Sequence, residues 1–118
     1  MSRVKRGVAG RRRHKKILEL TKGHKGQRHR LFRRANESLI HAMEYSTRDR
    51  KDRKGQFRRL WITRINAAVR AHGMSYSQFI YGLSKAGVEM NRKVMADLAV
   101  RDEAAFGSLA KTAKAALA

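Results

Sequence analysis

Residues 57–73 read FRRLWITRINAAVRAHG, and the choice of fold turns on them. At 3.6 residues per turn Phe57, Leu60, Trp61, Ile65 and Ala68 fall on one apolar stripe, while Arg59, Thr63, Asn66 and Arg70 fall on the opposite face. The segment predicts an amphipathic helix that packs a core with one side and offers cations and an amide with the other. It holds the only Trp of the chain and lies where a strongly basic half meets an ordinary apolar-patterned half. Arg64 projects near the stripe. Either its stem passes along the core with its head in water, the preferred reading, or its guanidinium meets a carboxylate or a phosphate at the rim.

Downstream, the pattern predicts a small helical unit. Gly73 takes the position just past the end of the helix, and Ser75-Tyr76-Ser77-Gln78 matches a capping box. Tyr76, Phe79, Ile80 and Leu83 then share a face, and Gly87 closes that helix. A further helix over about 91–101 presents Val94, Met95 and Leu98. Asp102 caps a last one, with Phe106, Leu109, Ala110, Ala113 and Leu117 in a stripe. Residues 57–118 thus form a compact domain with a modest core, worth only a few kcal/mol of stability.

Upstream, residues 1–16 hold eight Lys/Arg, one His and no acid, with Val4, Val8 and Ala9 as the only aliphatics after the initiator. Nothing there offsets the entropy of ordering, so this arm is expected to be disordered alone in solution. Ile17, Leu18 and Leu20 predict a short helix over about 11–22, ended by a flexible turn at Gly23 and Gly26. From 27 to 72 there is no Pro, and Leu31, Ala35, Leu39, Ala42 and Met43, broadened by Phe32 and Ile40, keep helical spacing. Residues 46–56, STRDRKDRKGQ, have no apolar face. Pairs from Glu44 to Arg48 and from Asp49 to Arg53 should support the helix there, and Gly55 favours a kink or break. One helix over 27–72 would run about 69 Å, too long to bury on so short a chain. The expected fold is all-α, a long basic helical extension over 1–56 followed by the domain over 57–118.

Charge narrows the function. The net charge is +20, and it is uneven: residues 1–72 carry 23 Lys/Arg against 5 Asp/Glu, residues 73–118 carry 6 against 4. A chain so charged repels itself when compact and implies a polyanionic partner. Residues 1–30 lack the continuous apolar face a membrane-docking helix needs, and no run is long enough for a signal sequence or a membrane span. A chain that stays where it is made is expected. The absence of Cys removes disulfides and thiolate metal sites. The five His residues form no ligand-spaced pair, no nucleophile motif or Walker loop is present, and the acids sit beside Arg. No enzyme, no metal, no cofactor and no small-molecule substrate are expected.

Arg-rich clusters favour phosphate, because a planar guanidinium binds two oxygens at once. Charge spread over a rod and an arm, without a compact reading helix and dimer surface, favours RNA over DNA. The candidate RNA-binding residues are Arg3, Lys5, Arg6, Arg11, Arg12, Arg13, Lys15, Lys16, Lys22, Lys25, Arg28, Arg30, Arg33, Arg34, Arg48, Arg50, Lys51, Arg53, Lys54, Arg58, Arg59, Asn66, Arg70, Tyr76, Arg92 and Lys93. His14, His24, His29, Phe32, Tyr45, Phe57, Trp61 and Tyr76 interleave with these cations as candidates for stacking on bases, with core packing the preferred reading for Phe32, Phe57 and Trp61. For His14, His24 and His29 stacking on bases and simple solvation are equally open.

Arg48-Asp49-Arg50, Phe57-Arg58-Arg59-Leu60-Trp61-Ile62, Arg64-Ile65-Asn66-Ala67-Ala68, Ser75-Tyr76 and Asn91-Arg92-Lys93-Val94 resemble the twentieth family of bacterial large-subunit ribosomal proteins. The similarity runs nearly end to end, from Arg3-Val4-Lys5-Arg6-Gly7 through Ala105-Phe106. It departs from the usual family pattern at His24, where an aromatic is common, and at Gly55, where a basic residue is. The resemblance implies a long helical extension that threads between RNA helices and a globular domain that docks on an RNA junction. It implies a structural constituent of the large ribosomal subunit that binds large-subunit ribosomal RNA early in assembly. Its partners would be that RNA, neighbouring large-subunit ribosomal proteins and, as a secondary expectation, its own messenger RNA. The location implied is the bacterial-type cytoplasmic ribosome, with an organellar ribosome left open. The alternative is a stand-alone regulator that binds messages or DNA.

Overall fold

The computed structural model describes residue 3 and residues 5–118; Val4, counted among the aliphatics of the arm, lies outside them. The described residues form α1 (Gly7–Leu20), a 3-10 turn (Gly26–His29), α2 (Phe32–Ala71), α3 (Tyr76–Lys85), α4 (Arg92–Arg101) and α5 (Glu103–Leu117), with no strand among them. The chain divides into two compact units, Met1–Lys51 and Asp52–Ala118, so the division falls inside α2.

In the first unit, α1 starts earlier than its apolar residues suggest. Residues 7–16 lack Pro, and Arg, Lys and Ala are good helix formers, so the helix extends back to Gly7. One face of α1 carries His14, Ile17, Leu18 and Thr21 at three- and four-residue spacing. Thr21 is fully buried, and its Oγ1 donates to the carbonyls of Ile17 at 3.1 Å and Leu18 at 3.3 Å. This face meets the start of α2: the His14 and Phe32 rings stack with centroids 3.8 Å apart, and Ala35 and Leu39 are buried. The helix expected from residue 27 begins only at Phe32, because Gly26 takes a positive φ of 69° and opens a 3-10 turn instead. Leu31, Ile40 and Met43, expected on the apolar stripe, are exposed. Just two α2 positions per two turns, Ala35 and Leu39, find buried places in this small unit.

In the second unit, Ile65, Val69, Met74, Phe79, Leu83, Met95, Ala96, Phe106, Ala110 and Ala113 form one buried core, with Trp61 and Ala68 packed at its edge. The caps at Gly73, Ser75, Gly87 and Asp102 are as the sequence predicts, and Asn91 adds one that it did not. Gly73 has φ 74° and Gly87 φ 70°. Ser75 and Gln78 close a reciprocal capping box, the Asn91 side chain accepts from the Val94 N–H at 2.9 Å, and Asp102 accepts from the Ala105 N–H at 2.9 Å. Phe57 and Leu60 depart from the expected core stripe: they are 49% and 41% exposed. The core reaches α2 only from Trp61 onward, so nothing faces the turn before it. Val94 is likewise exposed, and Ala96 takes the buried place beside Met95.

α2 runs without interruption through Gly55, where the sequence favours a break. No atom lies within 4 Å of where a Gly55 Cβ would sit, and the backbone there is helical. Gly55→Ala should therefore stabilise the chain by about 0.5–1 kcal/mol, seen as a higher urea midpoint. A lower midpoint would show that the folded chain needs the glycine.

Candidate nucleic-acid interface

The candidate cations project from the helices into solvent. Arg3, Lys5 and Arg6 precede α1. Arg11, Arg12, Arg13, Lys15 and Lys16 lie on α1, on the sides not used by His14, Ile17 and Leu18. Lys22, Lys25, Arg28 and Arg30 sit on the turns, and Arg33, Arg34, Arg48, Arg50 and Lys51 on α2; all of these are exposed. In the second unit Arg53, Lys54, Arg58, Arg59, Arg70 and Lys93 are exposed, while Asn66, Tyr76 and Arg92 are half-buried.

Carboxylates neutralise few of them. Among the described residues, Arg34 reaches Glu37 at 3.4 Å and Arg48 reaches Asp49 at 3.0 Å; the other close Arg–carboxylate pair is Arg101 with Asp97 at 2.9 Å. The expected four-residue pairs of Glu44 with Arg48 and Asp49 with Arg53 do not form. Arg48 instead turns to its neighbour Asp49 and lies over the Tyr45 ring, 4.8 Å from its centre. The hydrogen bond to Asp49 and its negative charge raise the Arg48 pKa further. Exposed pairs of this kind contribute little to stability. Arg50 donates to Ser46 and Thr47, which sets its guanidinium along the helix rather than against an acid.

Two candidates distant in sequence come together. The Arg92 Nε donates to the Tyr76 hydroxyl at 2.9 Å, linking the starts of α4 and α3. Elsewhere in this unit a groove is lined by Trp61, Arg64, Asn91, Lys93, Asp97 and Arg101. Arg64 is exposed and lines this groove, with no carboxylate paired to it among the described residues. Arg101, not among the residues singled out from the sequence, joins this groove only because packing brings α4 near Trp61. In the first unit a cleft gathers His24, Lys25, Arg28 and Arg34 with His41 and Tyr45. No group of three or more His, Cys, Asp or Glu residues among the described residues could hold a metal ion, and no described helix is long and apolar enough to cross a membrane. The arrangement is suited to meeting many phosphates over an extended surface.

A model of the ribosomal protein L20 family matches residues 3–109. The "Large ribosomal subunit protein bL20" of Thermomicrobium roseum is 60% identical over 117 residues, covering 99% of this chain and all of that protein. The protein of the same name from Dehalococcoides mccartyi is 56% identical over 118 residues, 100% of this chain and 99% of its own length. That from Natranaerobius thermophilus is 59% identical over 114 residues, 97% of each.

Proposed function

Because the chain belongs to the ribosomal protein L20 family, a structural rather than catalytic family, we propose that it is a constituent of the large ribosomal subunit in the bacterial cytoplasm, binding large-subunit ribosomal RNA directly and promoting early assembly. The observation that supports this most is the exposed, mostly unneutralised array of cations along both units. Each Lys or Arg that meets a phosphate releases condensed counterions, so such an array gives affinity without base contacts. Site choice falls to the second unit, which has a packed core to hold Arg59, Asn66, Arg70, Tyr76, Arg92 and Lys93 in fixed relation. RNA threaded along the extension, and neighbouring ribosomal proteins, would complete its surroundings.

Deleting residues 1–56 tests the division. The truncated chain should keep a folded domain and its preference for matched over scrambled RNA in filter binding. Its plot of log affinity against log salt should lose roughly half its slope or more. Loss of all discrimination would place specificity in the extension. In sucrose gradients the full chain should migrate stoichiometrically with the large subunit, and a free pool bound to a few transcripts would favour a regulator instead.

A further inference from the structure

We infer that the cleft formed by the 3-10 turn and the first half of α2 is a pocket for one unstacked nucleotide of the RNA, an inference that rests on the RNA-binding reading above. The cleft has a volume of about 640 Å3 and lies wholly within the first unit, a size suited to a small-molecule-like guest. Its two walls are already joined. His24 Nδ1 and Ser38 Oγ are 2.9 Å apart, and His29 Nδ1 lies 2.9 Å from the His24 carbonyl oxygen, so the turn is braced against α2 without a ligand. A braced pocket loses less entropy when it is filled.

Three features of the lining select the guest. Lys25, Arg28 and Arg34 are exposed and also border the adjoining hollow at Gly26 and Gln27, so positive charge continues out of the cleft along the path a backbone would take. His41 and Tyr45, one turn apart on α2, stack with ring centroids 6.1 Å apart; Tyr45 is 50% exposed, and the exposed Arg48 side chain that lies over its ring must swing aside for a base. A half-exposed ring beside cations is a platform on which a base stacks. The third feature is Glu37, a carboxylate among the Lys and Arg of the lining, held beside Arg34 at 3.4 Å. A site built only for phosphate has no use for a carboxylate, which repels it. A carboxylate does accept N–H donors from a base edge. Guanine presents two adjacent donors, its N1–H and its amino group; adenine and cytosine present an amino group; uracil presents only its N3–H, flanked by two carbonyl oxygens that repel a carboxylate. The pocket therefore ranks guanine first and uracil last.

The test uses the full chain and two fluorescein-labelled RNA heptamers, all-uridine and the same with a central guanosine, titrated by anisotropy at about 100 mM salt. The guanosine heptamer should bind about tenfold tighter. Tyr45→Ala should bring the two affinities within about twofold of each other, whereas Tyr45→Phe, which keeps the ring, should keep the preference. Glu37→Gln should reduce the preference while raising the all-uridine affinity about twofold, because Arg34 loses its counterion. Tyr45 and Glu37 are exposed on α2, so these variants should fold, which helical circular dichroism checks. Equal binding of the two heptamers by the wild-type chain, or a preference that survives Tyr45→Ala, overturns the pocket. So does displacement of the heptamer by an equal concentration of free guanosine monophosphate, which would make it a mononucleotide site. If ribosomal RNA still binds while the heptamers are not distinguished, the pocket alone fails; if neither is bound, the RNA-binding reading fails with it.

Discussion

Raising the salt concentration from 50 to 200 mM should weaken binding of the full chain to large-subunit ribosomal RNA by about 10³–10⁵. The magnitude follows from the number of phosphates met. Roughly 6–10 contacts give a slope near −0.7 to −0.9 per contact, compounded over a fourfold change in salt. The chain has ample cations for this, since α1 alone exposes Arg11, Arg12, Arg13, Lys15 and Lys16 on the sides turned away from α2. Arg34 and Arg48 should contribute less to the slope than their neighbours, because Glu37 and Asp49 already act as their counterions. The measurement is a series of equilibrium titrations at increasing potassium chloride. A loss of less than about tenfold would mean that few cations meet phosphate, and the exposed array would then need another use. Nonspecific binding obeys the same law, so the same series with scrambled RNA separates the share due to charge from the share due to shape.

How far the structure could be foreseen depends on whether a feature is local. The caps at Ser75 and Asp102 were legible because each is written within four residues, Ser75 with Gln78 and Asp102 before Ala105. The stripes of α3 and α5 were legible for the same reason, since helical spacing alone puts Phe79 with Leu83 and Phe106 with Ala110 and Ala113. Spacing does not say where a facing element stops. Phe57 and Leu60 have the same register as Ile65, yet they lie beyond the reach of the core and stay exposed. Thr21 shows the converse. A polar residue after an apolar run reads as a helix end, but α1 buries it completely because its hydroxyl is satisfied by Ile17 and Leu18 of its own helix. The cations of the candidate interface could be named from composition, whereas the cleft could not. Its walls are 24–28 and 34–45, and only the 3-10 turn, itself set by the positive φ of Gly26, brings them together.

The feature least legible in the sequence carries the largest expected effect on stability. Gly82→Ala should destabilise the second unit by about 3 kcal/mol, toward the upper end for overpacked cores. In most helix interiors this substitution is favourable, because alanine has the higher propensity and narrows the unfolded ensemble. Gly82 is buried in α3 where that helix lies against α5, and a Cβ built on it would run into the backbone of Ala113, lying 2.9 Å from its carbonyl carbon and closer still to its carbonyl oxygen. The obstacle is main chain within a helix, so no rotamer change relieves it; α3 and α5 must separate. Separation opens the contacts of Phe79 with Phe106, whose ring centroids are 5.4 Å apart at the centre of the core. A loss of about 3 kcal/mol is roughly a hundredfold in the ratio of folded to unfolded chains, enough to lower the melting temperature by about 10–20 °C for a unit of this size. Gly107→Ala is the matched control: its Cβ would meet only the His72 side chain at an ordinary 3.6 Å, so it should be neutral or slightly stabilising. Because the unit holds the Tyr76–Arg92 pair in place, Gly82→Ala should also erase the preference for matched RNA while leaving the salt-dependent affinity of the extension largely intact. A variant that melts with the wild type would show that the α3–α5 approach is slack, and that close packing there does not hold the unit together.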